Sequence, residues 1–265
     1  MGTLFTIEVP AETPRELVEE AFQIASGLEE LGTTYQPSSP LMLLSAGDPS
    51  FYQLPEATRS TLLSALGRAV TFAQQSGGAF HPATRADELA SIEVMRRALN
   101  ELPIRPLPWD LGGMLKGTAI DAMVAFFESK GISWALVNGG GDLRWYGKNQ
   151  CIMIRKPGDT LEDEPLLFLF AEQGALATSA NDRRFVSGHH GKQGHIKQAV
   201  PLVDEVIQAS VFAETAELAD VWATAVFVAG ITSAKQWSTQ YNFSTAILLG
   251  NHHLVTWGSH DFVRP

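Results

Sequence analysis

Between Trp134 and Thr178 the chain is chopped into short apolar runs, and few architectures tolerate that pattern. Trp134–Val137, Leu143–Tyr146, Cys151–Arg155, Leu166–Phe170 and Ala175–Thr178 are each four or five residues long and separated by turn residues. Runs of that length and spacing predict a mainly antiparallel sheet. Leu4–Val9 alternates like a strand, and Thr245–Leu249 and Leu254–Trp257 close the series. Helical spacing appears between them. Leu17, Val18, Phe22, Ala25 and Leu28 share one face, as do Leu62, Leu63, Leu66, Val70 and Ala73 ahead of a stop at Gly77-Gly78. The polar stretch around Pro37–Pro40 reads as a break. Arg85–Asn100 is polar and helix-prone, and Pro103, Pro106 and Pro108 enforce an extended approach to Trp109-Asp110. Gly117–Lys130 and Ala216–Ala229 complete the helices. With no repeat, linker or low-complexity segment, the expectation is one α+β domain over residues 1–265.

A chain of 265 residues, 45% of them hydrophobic, has enough apolar side chains for a full core. Its net charge of −10 and its lack of a Lys/Arg cluster argue against nucleic acid as the main partner. A single cysteine, Cys151, excludes an internal disulfide framework, and its apolar neighbours predict a buried strand residue. No apolar run is long enough to span a bilayer, and no basic start followed by an apolar block marks a secretion signal. The expected location is the cytoplasm, or the periplasm if a signal or lipoprotein segment has been removed.

Three constellations carry chemistry. Asp110-Leu-Gly-Gly-Met-Leu-Lys-Gly117 leads into a helix and is followed, after one helix and one strand, by Asn138-Gly-Gly-Gly-Asp142. Glycines let backbone N–H groups approach an anion, and a helix N-terminus adds a favourable dipole, so this is a candidate phosphate site with Lys116 as a cation. It matches neither the Rossmann nor the Walker A spacing, and two ordinary tight turns account for the same residues. Asp220 and Thr224 lie one turn apart, so both oxygens project from one helix face. A carboxylate and a hydroxyl beside a phosphate are hard ligands that suit Mg²⁺; a dipole-favouring Asp and a Thr bonded back to a carbonyl are the structural alternative. Finally, Ala177-Thr-Ser-Ala-Asn-Asp-Arg-Arg184 and Gly194-His195-Ile196 place hydroxyls, a basic pair and a histidine close in the chain. His195 is a candidate acid/base, with an exposed loop histidine as the alternative. His189-His190 and His252-His253 read as surface residues.

Taken in order, these pieces resemble the ApbE family, the FAD:protein FMN transferases. Gly77-Gly-Ala-Phe-His-Pro82 resembles the family's Gly-Gly-Ala-Phe-Asp-Pro. Asp110–Gly117, with Asp121 beyond it, resembles Asp-Leu-Gly-Gly-Ile-Ala-Lys-Gly. Val137–Asp142 resembles Val-Asn-Ala-Gly-Gly-Asp, Leu218–Thr224 resembles Leu-Ala-Asp-Ala-Leu-Ala-Thr, and Tyr35, Ala177-Thr-Ser179 and His195-Ile196 fall in place. The resemblance runs nearly end to end.

The resemblance implies mixed sheets with flanking helices, built as two interlocked lobes with FAD between them. It implies Mg²⁺ held by Asp220, Thr224 and the backbone carbonyl of Leu115. Cofactor contacts carried over are Tyr35, Asp110, Gly112, Gly113, Lys116, Asp121, Asn138, Gly139, Gly140, Asp142, Thr178, Ser179 and His195, with His195 and Lys116 as the catalytic candidates. Lys116 is expected to stabilise phosphate or orient Asp110. The implied reaction moves FMN from FAD onto a Thr or Ser hydroxyl of an acceptor flavoprotein and releases AMP. Hydrolysis of FAD to FMN and AMP, and flavin binding without catalysis, are the alternatives. The chain departs from the family at Ile196-Lys-Gln-Ala-Val200, Ser39-Pro40, Leu115 and Ala180.

Overall fold

The computed structural model describes residues 3–85, 88–101, 104–157, 164–180, 185–188, 191–194 and 205–265. The chain opens with β1 (Phe5–Glu8), α1 (Arg15–Gly32), α2 (Pro40–Ala46) and α3 (Glu56–Gln75). A two-residue hairpin, β2 (Thr84–Arg85) and β3 (Glu88–Leu89), precedes α4 (Ile92–Asn100) and α5 (Leu115–Ser129). Next come β4 (Ala135–Gly139), β5 (Asp142–Tyr146), β6 (Gln150–Arg155), β7 (Pro165–Ala171), β8 (Gly174–Ala180), β9 (Phe185–Gly188) and β10 (Gly191–Gly194). The last part holds β11 (Val206–Ala213), α6 (Ala216–Ala229), α7 (Ile231–Gln240), β12 (Ser244–Leu249), β13 (Leu254–Trp257) and β14 (Phe262–Val263).

The class is α+β. A seven-stranded sheet runs β1-β4-β5-β8-β11-β12-β13, with every neighbouring pair antiparallel. Side chains alternate across it. Ala135 and Val137, Ala175 and Ala177, Ala209, Val211 and Ala213, and Ile247 and Leu249 face the helices and form one core with α1, α3, α5 and α6. Leu136, Trp145, Leu176, Phe212 and Ala246 face the other way, onto Ile152, Ile154, Leu167 and Leu169 of a three-stranded sheet ordered β14-β7-β6. The central sheet is therefore covered on both faces, which is why its inner strands read as continuous apolar runs.

Helix α6 is apolar nearly all round because it is enclosed. Trp222 stacks on Tyr241 (4.6 Å between ring centroids) and Phe243 (5.3 Å) and packs against Trp237. Each such contact contributes about 0.5–1.5 kcal/mol beyond burial. Asp220 and Thr224, two residues to either side of Trp222, point to the opposite face.

Several expectations need correction. Pro37–Pro40 does not simply break the chain: Ser39 caps α2, accepting from the Met42 N–H at 3.2 Å, with Pro40 in the first turn, where its missing N–H costs nothing. Arg85–Asn100 is helical only from Ile92, because Ser91 caps the Val94 N–H and β2 and β3 precede it. Helix α7 was hidden by its polar sequence, of which only Ala234, Trp237 and Ser238 are buried. Strand β11 is an addition to the expected strands. Cys151 is exposed, not buried. With Ile152 and Ile154 turned inward on β6, the period of two sends Cys151 and Met153 outward. His252 and His253 are exposed as expected, while His189-His190 lie outside the described residues.

Candidate functional site

The first turns of α5 and α6 meet with no space between them. A Cβ added at Gly117 would lie 2.3 Å from the carbonyl oxygen of Ala216 and 2.7 Å from the Cα of Glu217, so only glycine allows this approach. The contact brings Asp220 of α6 over the start of α5. One Asp220 oxygen accepts from the Gly117 N–H at 3.2 Å, an amide that the helix start leaves without an intrahelical partner. Both oxygens lie 3.0 Å from the Lys116 ammonium. Lys116 also reaches Asp142, at the start of β5, at 2.7 Å.

This cluster is largely buried, with Lys116 its most accessible member. The side chains of Asp142 and Asp220 are each 6% exposed and that of Lys116 is 20% exposed. Two carboxylates share one ammonium, so the group carries a net charge of −1. Burial pushes Asp220 up to about 7; Lys116 opposes the rise and the neighbouring Asp142 adds to it. Burial works against the charged form of Lys116, but Asp142 and Asp220 outweigh it and hold the ammonium above its ordinary value.

The two glycine turns play different parts. β4 and β5 pair as far as Gly139 and Asp142, leaving Gly140 and Gly141 as a two-residue hairpin turn with φ +72° and +102°. Positive φ at both central positions is the tight hairpin geometry that demands glycine or Asn/Asp. Asn138 accepts from the Gly141 N–H at 2.8 Å and ties the turn, and Gly139 leaves room for Phe5 and Ile120. This turn therefore delivers Asp142. Asp142 also accepts from the Thr178 N–H at 3.2 Å, and the Thr178 hydroxyl meets that of Ser210 at 2.8 Å.

The Gly112-Gly113 turn sits over the second oxygen of α6. A Cβ at Gly113 would stand 3.6 Å from the Thr224 hydroxyl and 3.3 Å from Phe80. Thr224 lies 3.5 Å from the Ser179 hydroxyl. Asp110 accepts from the Gly112 N–H at 2.7 Å, bending the turn. The segment before it is pinned through His81, which contacts the Ala90 carbonyl at 2.8 Å and the Ala83 N–H at 3.2 Å. Ala83 bridges to Trp109, and the Asp110 N–H donates to Pro82 at 2.8 Å.

Lys116, Asp142 and Asp220 thus touch directly, and Gly113, Ser179 and Thr224 gather one helical turn along α6. Lys116 pairs with Asp142 and Asp220 rather than orienting Asp110, whose carboxylate holds the Gly112 turn. Leu115 begins α5 with its side chain directed at Gly32 of α1, where an added Cβ would meet its Cδ2 at 2.8 Å. Tyr35 stands 87% exposed on the loop after α1. Asp121 accepts from the backbone N–H groups of Ala216 (2.8 Å) and Glu217 (2.9 Å) and from Arg144 (2.8 Å). His195 lies outside the described residues. Ser210, Arg144 and Glu217 were not singled out from sequence. Ser210 sits on β11, and a charged pair 23 residues apart leaves no local spacing signal.

Asp220 and Thr224 fit a hard cation. Asp220 Oδ1 takes one hydrogen bond and keeps a lone pair free, Thr224 adds a hydroxyl oxygen, and the excess negative charge favours a positive ion. No group of three or more His, Cys, Asp or Glu suited to a metal occurs among the described residues.

Comparison with known proteins gives the family. The ApbE family model matches residues 84–248, a span holding Lys116, Asp142, Asp220 and Thr224. A Treponema pallidum protein called FAD:protein FMN transferase is 25% identical over 285 aligned positions, covering 87% of this chain and 77% of its own length. A Buchnera aphidicola protein of the same name is 26% identical over 163 positions, covering 58% of this chain and 48% of its own. Among solved structures, an ApbE protein from Thermotoga maritima superposes with a TM-score of 0.70 at 18% identity, covering 96% of each chain. The flavin transferase ApbE from Vibrio cholerae gives 0.69 at 20% identity, covering 98% of this chain and 94% of its own. With its central motifs built into one buried cluster and more than half its length matched, this chain belongs to the ApbE family.

Proposed function

We propose that this chain is a Mg²⁺-dependent FAD:protein FMN transferase, joining FMN through a phosphoester bond to a Thr or Ser of an acceptor flavoprotein. The observation that carries the reading is the buried Asp142–Lys116–Asp220 cluster beside Thr224 and the glycine turn. It offers an ammonium beside a carboxylate and a hydroxyl one helical turn apart on α6, which suits a pyrophosphate with its cation. The names of the curated relatives support the substrate and the acceptor.

The hydroxyl oxygen of the acceptor attacks the phosphorus on the FMN side of FAD. The bond from that phosphorus to the bridging oxygen breaks, and AMP leaves with the bond's electrons. Asp220, Thr224 and the Leu115 carbonyl would hold a divalent cation, which when bound would neutralise the charge growing on the phosphoryl oxygens. Lys116, held above its ordinary pKa, stays charged throughout and directs positive potential at the phosphates. Asp142 and the Gly117 N–H hold Lys116 and Asp220 in place before the substrate arrives. Gly112 and Gly113 leave space for phosphate oxygens near Thr224. His195 takes the proton of the attacking hydroxyl, and Tyr35, exposed at the end of α1, contributes to the flavin pocket.

Incubation with FAD, Mg²⁺ and an acceptor carrying a candidate threonine tests this reading. The acceptor should gain the mass of one FMN for each AMP released. AMP and free FMN in equal amounts, with several acceptors unlabelled, would replace transfer by hydrolysis. FAD binding without AMP release would leave a binding protein.

A further inference from the structure

Helices α5 and α6 exchange carboxylates at their starts, and the two exchanges differ in kind. Asp220 of α6 reaches α5 at Lys116 and Gly117. Asp121 of α5 reaches back to α6, one oxygen accepting from Ala216 and the other from Glu217. These two N–H groups belong to the first turn of α6, where no intrahelical carbonyl is available. Thr215 caps the next amide, that of Leu218, at 3.3 Å. Because Asp121 uses both oxygens, it fixes how far α6 slides along its axis and how it is rotated, which a single hydrogen bond does not do.

Two further contacts stiffen this joint. Arg144 donates to Asp121 at 2.8 Å from β5, the strand that supplies Asp142 two residues earlier. Residues two apart on a strand face the same side. β5 therefore grips α5 twice, Asp142 on Lys116 and Arg144 on Asp121. Glu217, whose N–H Asp121 holds, takes a fork from Arg68 of α3 (2.8 and 2.9 Å) and the Thr118 hydroxyl of α5 (2.7 Å). The backbones are in contact at Gly117, and Asp220 and Thr224 follow one and two turns after Ala216 on the same helix, so the placing of its first turn bears on both.

We propose that Asp121 is a positioning residue for the metal site and not a cofactor ligand: it sets the register of α6 against α5, and so the places of Asp220 and Thr224. The inference rests on the reading above that these two residues hold a divalent cation. Asp121 has its hydrogen bonds on Ala216, Glu217 and Arg144, and its influence on the site runs through the backbone of α6.

The test uses the full chain and Mn²⁺ as the probe, with free Mn²⁺ read by electron paramagnetic resonance and folding by circular dichroism. Asp121→Asn keeps one acceptor but turns an amide donor against the Glu217 N–H or Arg144. It should weaken Mn²⁺ binding about 10- to 100-fold, as loss of an outer hydrogen-bond partner does at other metal sites. The Mg²⁺ concentration for half-maximal AMP release should rise in step, with kcat largely restored at saturating Mg²⁺. Arg144→Met leaves Asp121 in place without its side-chain partner and should show the same pattern more weakly. Asp220→Asn should abolish Mn²⁺ binding. Asp121→Asn and Arg144→Met proteins that are folded and bind Mn²⁺ like the wild type, while Asp220→Asn does not, would overturn the inference alone. Should Asp121→Asn not fold, Arg144→Met decides in the same way. Unchanged binding in Asp220→Asn would remove the metal reading and this inference with it.

Discussion

Asp121 and Asp220 are both largely buried aspartates that cross between the same two helices, yet they differ in how their charge is met. Burial raises the pKa of Asp121 above its ordinary value, opposed by two amides and a guanidinium of its own. Asp220 has one amide and half a claim on Lys116, with Asp142 taking the rest, and burial lifts it to about 7. The first arrangement is that of a joint. The second is an under-neutralised carboxylate held in a rigid frame, the condition under which a protein group performs chemistry or binds a cation.

The contrast between the two aspartates breaks most visibly if the cation shared with Asp142 is removed. Lys116→Met leaves two buried carboxylates facing each other and should cost about 3–5 kcal/mol in denaturant unfolding at neutral pH. The loss should shrink as pH falls and Asp220 takes a proton. AMP release should vanish. Gly117→Ala tests the frame in place of the charge. The added Cβ would lie 2.3 Å from a backbone oxygen, so the helices must part, at a cost of about 1–3 kcal/mol in a thermal melt and with loss of Mg²⁺-dependent turnover.

The pH dependence of the wild type sharpens the contrast. Because folding raises the pKa of Asp220 from 3.8 to about 7, the folded protein binds the extra proton between those values. Stability measured with divalent cations chelated should therefore fall as pH rises from about 4 to 7, by roughly 1–3 kcal/mol. Saturating Mg²⁺ should remove most of that fall, since the cation replaces the proton. Lys116 works in the other window: its raised pKa favours the fold below about 10.5, and that support disappears at higher pH. The smallest effect is expected at Tyr35, which is 87% exposed. Tyr35→Ala should change stability by less than about 0.5 kcal/mol while weakening FAD binding in a fluorescence titration.

The parts of this arrangement legible in the sequence are those with short-range signals. Helix periodicity alone gives the apolar spacing of α5 and α6 and the one-turn interval from Asp220 to Thr224. The doublets Gly112-Gly113 and Gly140-Gly141 stand out as turns, and motif order relates them to one family. The features that stayed hidden depend on tertiary contact. Nothing near Gly117 in the chain announces Ala216, and nothing near Asp121 announces Glu217 or Arg144. The outward turn of Cys151 is set by which face of β6 meets Leu136 and Trp145. Helix α7 shows little periodicity because only a narrow stripe beneath Trp222 is buried. Ser39-Pro40 suits a break or a helix start equally well on local chemistry, and packing of Leu41 and Leu44 into the core makes it the start of α2.

In the proposed reading, Asp220 and Thr224, framed by Lys116 and the glycine turn, hold the divalent cation and the pyrophosphate of FAD. A crystal structure with FAD and Mn²⁺, using the anomalous signal of the metal, addresses it most directly. The expected result is one Mn²⁺ bonded to the Asp220 carboxylate and the Thr224 hydroxyl at about 2.1–2.2 Å, bridged to the pyrophosphate, with the Lys116 ammonium on a phosphate oxygen. FAD bound elsewhere, or a metal peak that leaves Asp220 and Thr224 untouched, would contradict the account.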